Sequence, residues 1–181
     1  MRATLTICGL AAVFGAAVWV TVPEALPIRH DSIDGYGPVK FGMTLEEVRL
    51  AVGEQAMVSE VCGDRQAVTA YVEEDGRRGH MMAFVDAQTT VKEIEITFAD
   101  NSPADSKAAC FADLERMTQM QARHYADFAQ SRAELQAGTA RARRSSLVFP
   151  DGSAMVVMAK YWPTGGTCYT TISFRAADAP Q

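Results

Sequence analysis

Thr44 and Glu47 stand three residues apart at the head of an apolar run, and this spacing constrains the fold more than any other stretch of the chain. The Thr44 hydroxyl can accept from the Glu47 amide while the Glu47 carboxylate returns to the Thr44 amide, which makes a reciprocal capping box. Met43 precedes the cap, where it can staple onto Val48, and Glu46 and Glu47 place negative charge in the first turn. Leu45, Val48 and Val52 share one face at helical spacing, and Gly53 supplies the left-handed stop. A helix of about two turns does not hold itself up in water. It must lie on a larger surface, and a sheet is expected. Upstream, residues 36–41 read as a short strand or an extended arm, punctuated by Gly35, Gly37 and Gly42.

Arg2 leads an uncharged apolar run from Ala3 to Val22, about 30 Å long as a helix and enough to cross a bilayer core. Residues 1–25 read as a signal peptide or an uncleaved N-terminal signal-anchor. Ala25 is flanked awkwardly by prolines as a cleavage site, while the run is longer than most cleaved cores. Residues 26–34 form a linker, and residues 35–177 form a single domain with enough chain to bury a core. Either leader exports the domain to a periplasmic or other extracytoplasmic space, secreted or tethered to the inner membrane. An uncleaved leader also makes the membrane a partner. The net charge of −5 argues against sequence-independent nucleic-acid binding, which needs positive charge to displace counterions.

Strand-like runs follow the first helix at 56–62 and 67–73 around Gly63-Asp64, then at 79–85 after the hairpin signal Asp75-Gly76. In residues 91–98, Val91, Ile94, Ile96 and Phe98 are apolar, while Glu93, Glu95 and Thr97 take the other face of a half-buried strand. A second helix is expected from an N-cap at Ser102, with Pro103 at its first position and Asp105 behind. Its apolar positions run from Cys110 through Leu114, Met117, Gln121 and His124 to Phe128, and the pattern extends to Gln136 with a break between Tyr125 and Ala133. Strands return at 146–149, 154–161 and 168–174, with Asp151-Gly152 as a second hairpin turn. The expected fold class is α+β: an antiparallel sheet with two helices packed on one face, its halves reading as two αβββ pseudo-repeats.

The motif Gly42-Met43-Thr44, followed by Glu47-Val48-Arg49 and Gly53, resembles that of the SmpA/OmlA-like (BamE-like) small outer-membrane assembly lipoproteins. It also resembles a wider set of exported domains, and β-lactamase-inhibitor proteins share their architecture. The resemblance covers residues 35–99 and implies short helices followed by a small antiparallel sheet. Two departures stand out: no lipobox precedes a mature N-terminal cysteine, and Glu54 stands where proline often follows the last glycine.

Cys8 lies in the apolar run, so Cys62, Cys110 and Cys168 allow one intramolecular disulfide in an oxidising compartment. The expected pair is Cys110 with Cys168, joining a helix start to the last strand. Pairing through Cys62, or three reduced thiols, are the alternatives, since connectivity is not readable from sequence. The related exported families carry cysteines at these two kinds of place.

His80, Met81 and Met82, with Met117, Met120 and His124, are residue types that suit copper, although core packing accounts for the methionines. Glu93 with Glu95 could serve acid–base chemistry, or simply form a polar strand face. Glu73-Glu74-Asp75 reads as a solvated hairpin tip, and Arg141, Arg143 and Arg144 as a solvated basic loop, with contact to anionic lipid or glycan as the alternative. The chain holds no nucleophile elbow, zincin helix or phosphate loop. The functional expectation is a non-enzymatic exported domain, without cofactor, that binds a protein or envelope component. The alternative is a small envelope enzyme or copper handler.

Overall fold

Thr44 caps the first helix in both directions. In the computed structural model, which describes residues 30–61, 65–74, 76–85, 90–98 and 106–179, Glu47 N–H donates to Thr44 Oγ1 at 3.3 Å, and Thr44 N–H donates to Glu47 Oε2 at 2.7 Å. The short strands β1 (Gly35–Tyr36) and β2 (Val39–Lys40) form a ribbon just before helix α1 (Leu45–Val52). Gly53, at φ 83°, closes α1 by donating its N–H to the Arg49 carbonyl at 2.9 Å, a conformation that glycine adopts without a Cβ penalty.

Four strands follow: β3 (Met57–Val61), β4 (Arg65–Glu74), β5 (Arg77–Val85) and β6 (Val91–Phe98). After helix α2 (Lys107–Ala122) come four more: β7 (Ala129–Ala137), β8 (Ala140–Val148), β9 (Ala154–Trp162) and β10 (Thr167–Arg175). All eight belong to one antiparallel sheet in the order β3-β4-β5-β6-β10-β9-β8-β7. Two four-stranded meanders thus meet at a central seam, where Ile96 pairs with Ile172 and Ile94 with Phe174.

The fold is mainly β, with ten strands and two short helices among the described residues, and this corrects the α+β expectation. Each half carries four strands after its helix, not three. The difference lies in residues 129–137, Ala-Gln-Ser-Arg-Ala-Glu-Leu-Gln-Ala, whose composition favours a helix. There α2 has already ended at Ala122, and the nine residues pair with β8 instead. Pairing across the sheet outweighs propensity here. The other end of α2 also differs from expectation. Ser106 is its N-cap, accepting from Ala109 N–H at 3.1 Å, while the expected Ser102 and Pro103 lie outside the described residues.

Alternation puts Val68, Ala70, Met81, Ala83, Ile94, Ile96, Leu147, Val157 and Ile172 on one face of the sheet. That face receives Val48 of α1 and Phe111, Leu114 and Met117 of α2. Helix α2 lies over β8, β9 and β10, and α1 over β4 and the ribbon. Gly79 belongs to this core face because a Cβ there would come within 2.9 Å of Ile96 Cγ2 and 3.1 Å of the Phe98 ring. Cys110, in the first turn of α2, is bonded to Cys168 of β10, with their Cα atoms 5.7 Å apart. Cys62 lies outside the described residues, as does the apolar run 3–22. No helix among the described residues is long and apolar enough to cross a membrane.

Candidate functional site

A cleft of about 260 Å³ opens where the ribbon, the tip of β4 and the C-terminal end of α2 converge. Glu74 is its centre. Tyr36 Oη donates to Glu74 Oε2 at 2.6 Å, and Gln121 Nε2 donates to Glu74 Oε1 at 3.0 Å. Tyr36 stacks on Phe174, with ring centroids 5.4 Å apart, so its hydroxyl is held from two sides. Burial first, and then the hydrogen bond to and charge of Glu74, raise the Tyr36 phenol well above its ordinary value and keep it a donor. Tyr125, which also lines the cleft, is raised by burial and then by the charges of Asp34 and Glu74. His30 N–H donates to the His124 carbonyl at 3.0 Å, and Ala126 N–H donates to the His30 carbonyl at 2.9 Å, fastening the incoming chain to the end of α2. Both Glu74 oxygens are occupied, and the cleft is smaller than most ligand pockets. It is built as a bracket between chain segments.

This placement corrects the reading of Glu73-Glu74-Asp75 as a solvated tip: Glu74 is half-buried, while Asp75 lies outside the described residues. The soft-ligand set divides between the two sides of the sheet. His124 lines the cleft, whereas His80 lies on the opposite face, edge-on to Tyr71 at 5.7 Å. Met81 and Met117 are core residues, and Met82 shares the face of His80. Among the described residues no group of three His, Cys, Asp or Glu side chains has metal-binding geometry.

The basic cluster is a strand, not a loop, and a period of two separates its members. Arg141 and Arg143 point to the helix side, and Arg144 to the other. Arg143 pairs with Glu134 and lies 4.7 Å from the Phe111 ring centroid. Alternation had hidden here behind charge.

The second face of the sheet has no described element packed on it. Its centre is polar: Thr97 and Thr171 pair across the seam, and Arg175 Nε donates to Glu93 Oε1 at 3.1 Å. Apolar and aromatic side chains flank that strip. Tyr71, His80 and Met82 stand on one side, with Val156, Met158 and Trp162 on the other, where Lys160 lies 4.7 Å over the Trp162 ring. Among the described residues six large apolar side chains are exposed, and four of them, Met57, Tyr71, Leu135 and Val148, belong to this face. Sequence reasoning passed over Tyr71, Met158 and Trp162. Their signal was parity: each is out of phase with the core-facing residues of its own strand.

Comparison of the chain with family models, curated proteins and solved structures returns no match.

Proposed function

We propose that this chain is an exported, non-enzymatic binding domain that holds a protein or envelope component against the open face of its eight-stranded sheet. One observation carries the reading: among the described residues, four of the six exposed large apolar side chains lie on the face the helices leave bare. Met57 and Tyr71 stand at one end of the sheet and Leu135 and Val148 at the other. The half-buried Met82, Val156, Met158 and Trp162 lie between them on the same side. Apolar side chains left uncovered across one face fit an interaction surface. The arrangement, aromatic and methionine side chains around a polar strip, suits a partner offering both hydrogen bonds and apolar contact. Export is supported by the apolar leader and by the Cys110–Cys168 disulfide, which persists in an oxidising compartment. The SmpA/OmlA-like motif fits an envelope role, at the level of a resemblance in residues 35–99.

The test is affinity capture by the full chain from its native envelope, comparing the wild type with open-face and helix-layer variants. Tyr71→Ala with Met158→Glu should lower capture of a given partner about tenfold or more. Leu50→Ala and Gln119→Ala, exposed on α1 and α2, should leave it unchanged. Equal capture by all variants would overturn the assignment of the face.

A further inference from the structure

The first strand of the second meander, β7, forms an outer edge of the sheet. It pairs with β8 over nine residues in unbroken register, and nothing among the described residues pairs with its outer edge. Only two residues separate Ala137 from Ala140, so these two exchange both hydrogen bonds of the closing pair, and pairs alternate from there. The odd-numbered residues of β7 therefore bond to β8. Gln130, Arg132, Glu134 and Gln136 turn their N–H and C=O groups outward. Natural edge strands are blunted by shortness, proline, a bulge or unpaired charge, and the two charged residues of β7, Arg132 and Glu134, are already held in ion pairs with Glu115 and Arg143. Strand β7 is nine residues long and has no proline, lysine or bulge. Reversal of its sequence, Ala-Gln-Ser-Arg-Ala-Glu-Leu-Gln-Ala, about Ala133 matches the alanines and glutamines at its ends, exchanges Ser131 with Leu135, and exchanges Arg132 with Glu134.

We propose that β7 pairs antiparallel with β7 of a second copy of this chain, about a two-fold axis at Ala133, joining two eight-stranded sheets edge to edge. In this register Arg132 stands opposite Glu134 of the second copy, Gln130 opposite its Gln136, and Ala133 opposite itself. All four outward-turned residues fall into hydrogen-bonded pairs. Sliding by the smallest step that preserves hydrogen-bond parity sets Arg132 against Arg132, or Glu134 against Glu134. Like charges directly opposite are unfavourable, so charge selects the centre at Ala133. The new pairs extend ion pairs already present, Arg132–Glu115 at 2.8 Å and Arg143–Glu134. Both helix layers then lie on one side of the joined sheet, and both open faces on the other.

Ala133 offers the test. Directly opposed residues in a non-hydrogen-bonded pair have Cα atoms about 4.5 Å apart, within the range a disulfide spans. Full-length Ala133→Cys, extracted in mild detergent and oxidised, should run as a covalent dimer on a non-reducing gel. With Cys8 and Cys62 replaced by serine throughout, the parent chain and Ser131→Cys should not, because no other thiol is free and residue 131 faces residue 135. Adding Arg132→Glu to Ala133→Cys puts like charges opposite and should lower cross-linking about tenfold. Circular dichroism establishes that each variant is folded. Sedimentation of the wild type should show a dimer. A wild type that stays monomeric at its highest soluble concentration overturns the proposal even where a variant fails to fold, and so does a dimer that residue 133 does not lock.

Discussion

Replacing both Cys110 and Cys168 by alanine should remove a large share of the domain's stability. The bond joins residues 58 apart in sequence, and closing a loop of that length in the unfolded chain corresponds to about 4 kcal/mol at 25 °C. Cys110 is only 2 % exposed, so loss of its sulfur from the core adds up to about 1 kcal/mol. Domains are stable by about 5–15 kcal/mol, so the double variant forfeits a third or more. For a domain of this size each kcal/mol moves Tm by about 2–4 °C, giving an expected fall of roughly 8–20 °C. Urea unfolding followed by far-UV circular dichroism measures the effect. The urea dependence should also steepen, because the unfolded chain expands once the constraint is gone. Oxidised wild type, dithiothreitol-treated wild type and the double variant provide the comparison. Coincident midpoints for all three would refute the loop-closure argument, and peptide mapping that linked Cys62 to either cysteine would refute the pairing itself.

Thr44→Ala removes one half of the capping box and should cost about 1 kcal/mol, read as a lower urea midpoint with an unchanged slope. Gly79→Ala places a methyl 2.9 Å from Ile96 Cγ2 and against the Phe98 ring, so it should destabilise by about 1–2 kcal/mol despite the gain in backbone stiffness. A neutral or stabilising result would mean that the core at this point yields freely. Asp113 sets a pH dependence. Burial pushes its carboxyl up, but the hydrogen bond from Arg116 and the charge of Arg77 outweigh burial and hold it below the usual 3.8. A folded-state value below the unfolded one means that its stabilisation is present above about pH 4 and is lost as acid titrates the group. Asp113→Asn should therefore cost about 1–2 kcal/mol near neutrality, with urea midpoints of variant and wild type converging in strong acid.

What could be read from the residues divides by periodicity. The strand at 91–98 alternates apolar and acidic side chains so cleanly that both its existence and its buried face were legible, and the structure buries Val91, Ile94, Ile96 and Phe98. In β7 the alternating positions are Gln, Arg, Glu, Gln on one side and Ala, Ser, Ala, Leu, Ala on the other, a contrast too weak to oppose strong helix formers. In β8 three arginines fall on both faces and mask Ala140, Ala142, Ser145 and Leu147, which are buried. The cleft was illegible for another reason: Tyr36, Glu74 and Gln121 meet only through tertiary packing, across separations of 38 and 47 residues. No local spacing announces such a meeting. The open face was latent in parity but needed the core face of every strand to be assigned first.

The two outer edges of the sheet differ, and the difference bears on both proposals. The palindromic strand order puts β3 and β7 in matching positions at its ends. On the first side β3 is five residues long and pairs only with residues 65–69 of the ten-residue β4, so this edge is short and stepped. Short edges are one of the ways in which a sheet avoids adding strands from another molecule. On the second side β7 matches β8 over nine pairs. One edge is thus limited while its counterpart stays long, and a sheet that merely tolerated exposed edges would have no reason to treat them differently. Edge pairing also sets the valency of the open face. Two faces on the same side of a joined sheet bind a multivalent envelope surface more tightly than one, through effective concentration, with each face keeping its own affinity. Arg132→Glu should therefore weaken capture of a multivalent partner while leaving the affinity for a monomeric one intact, whereas Tyr71→Ala with Met158→Glu should weaken both. Equal losses from the edge variant on both kinds of partner would mean that β7 itself contacts the partner, and that its free side serves that contact in place of a second copy.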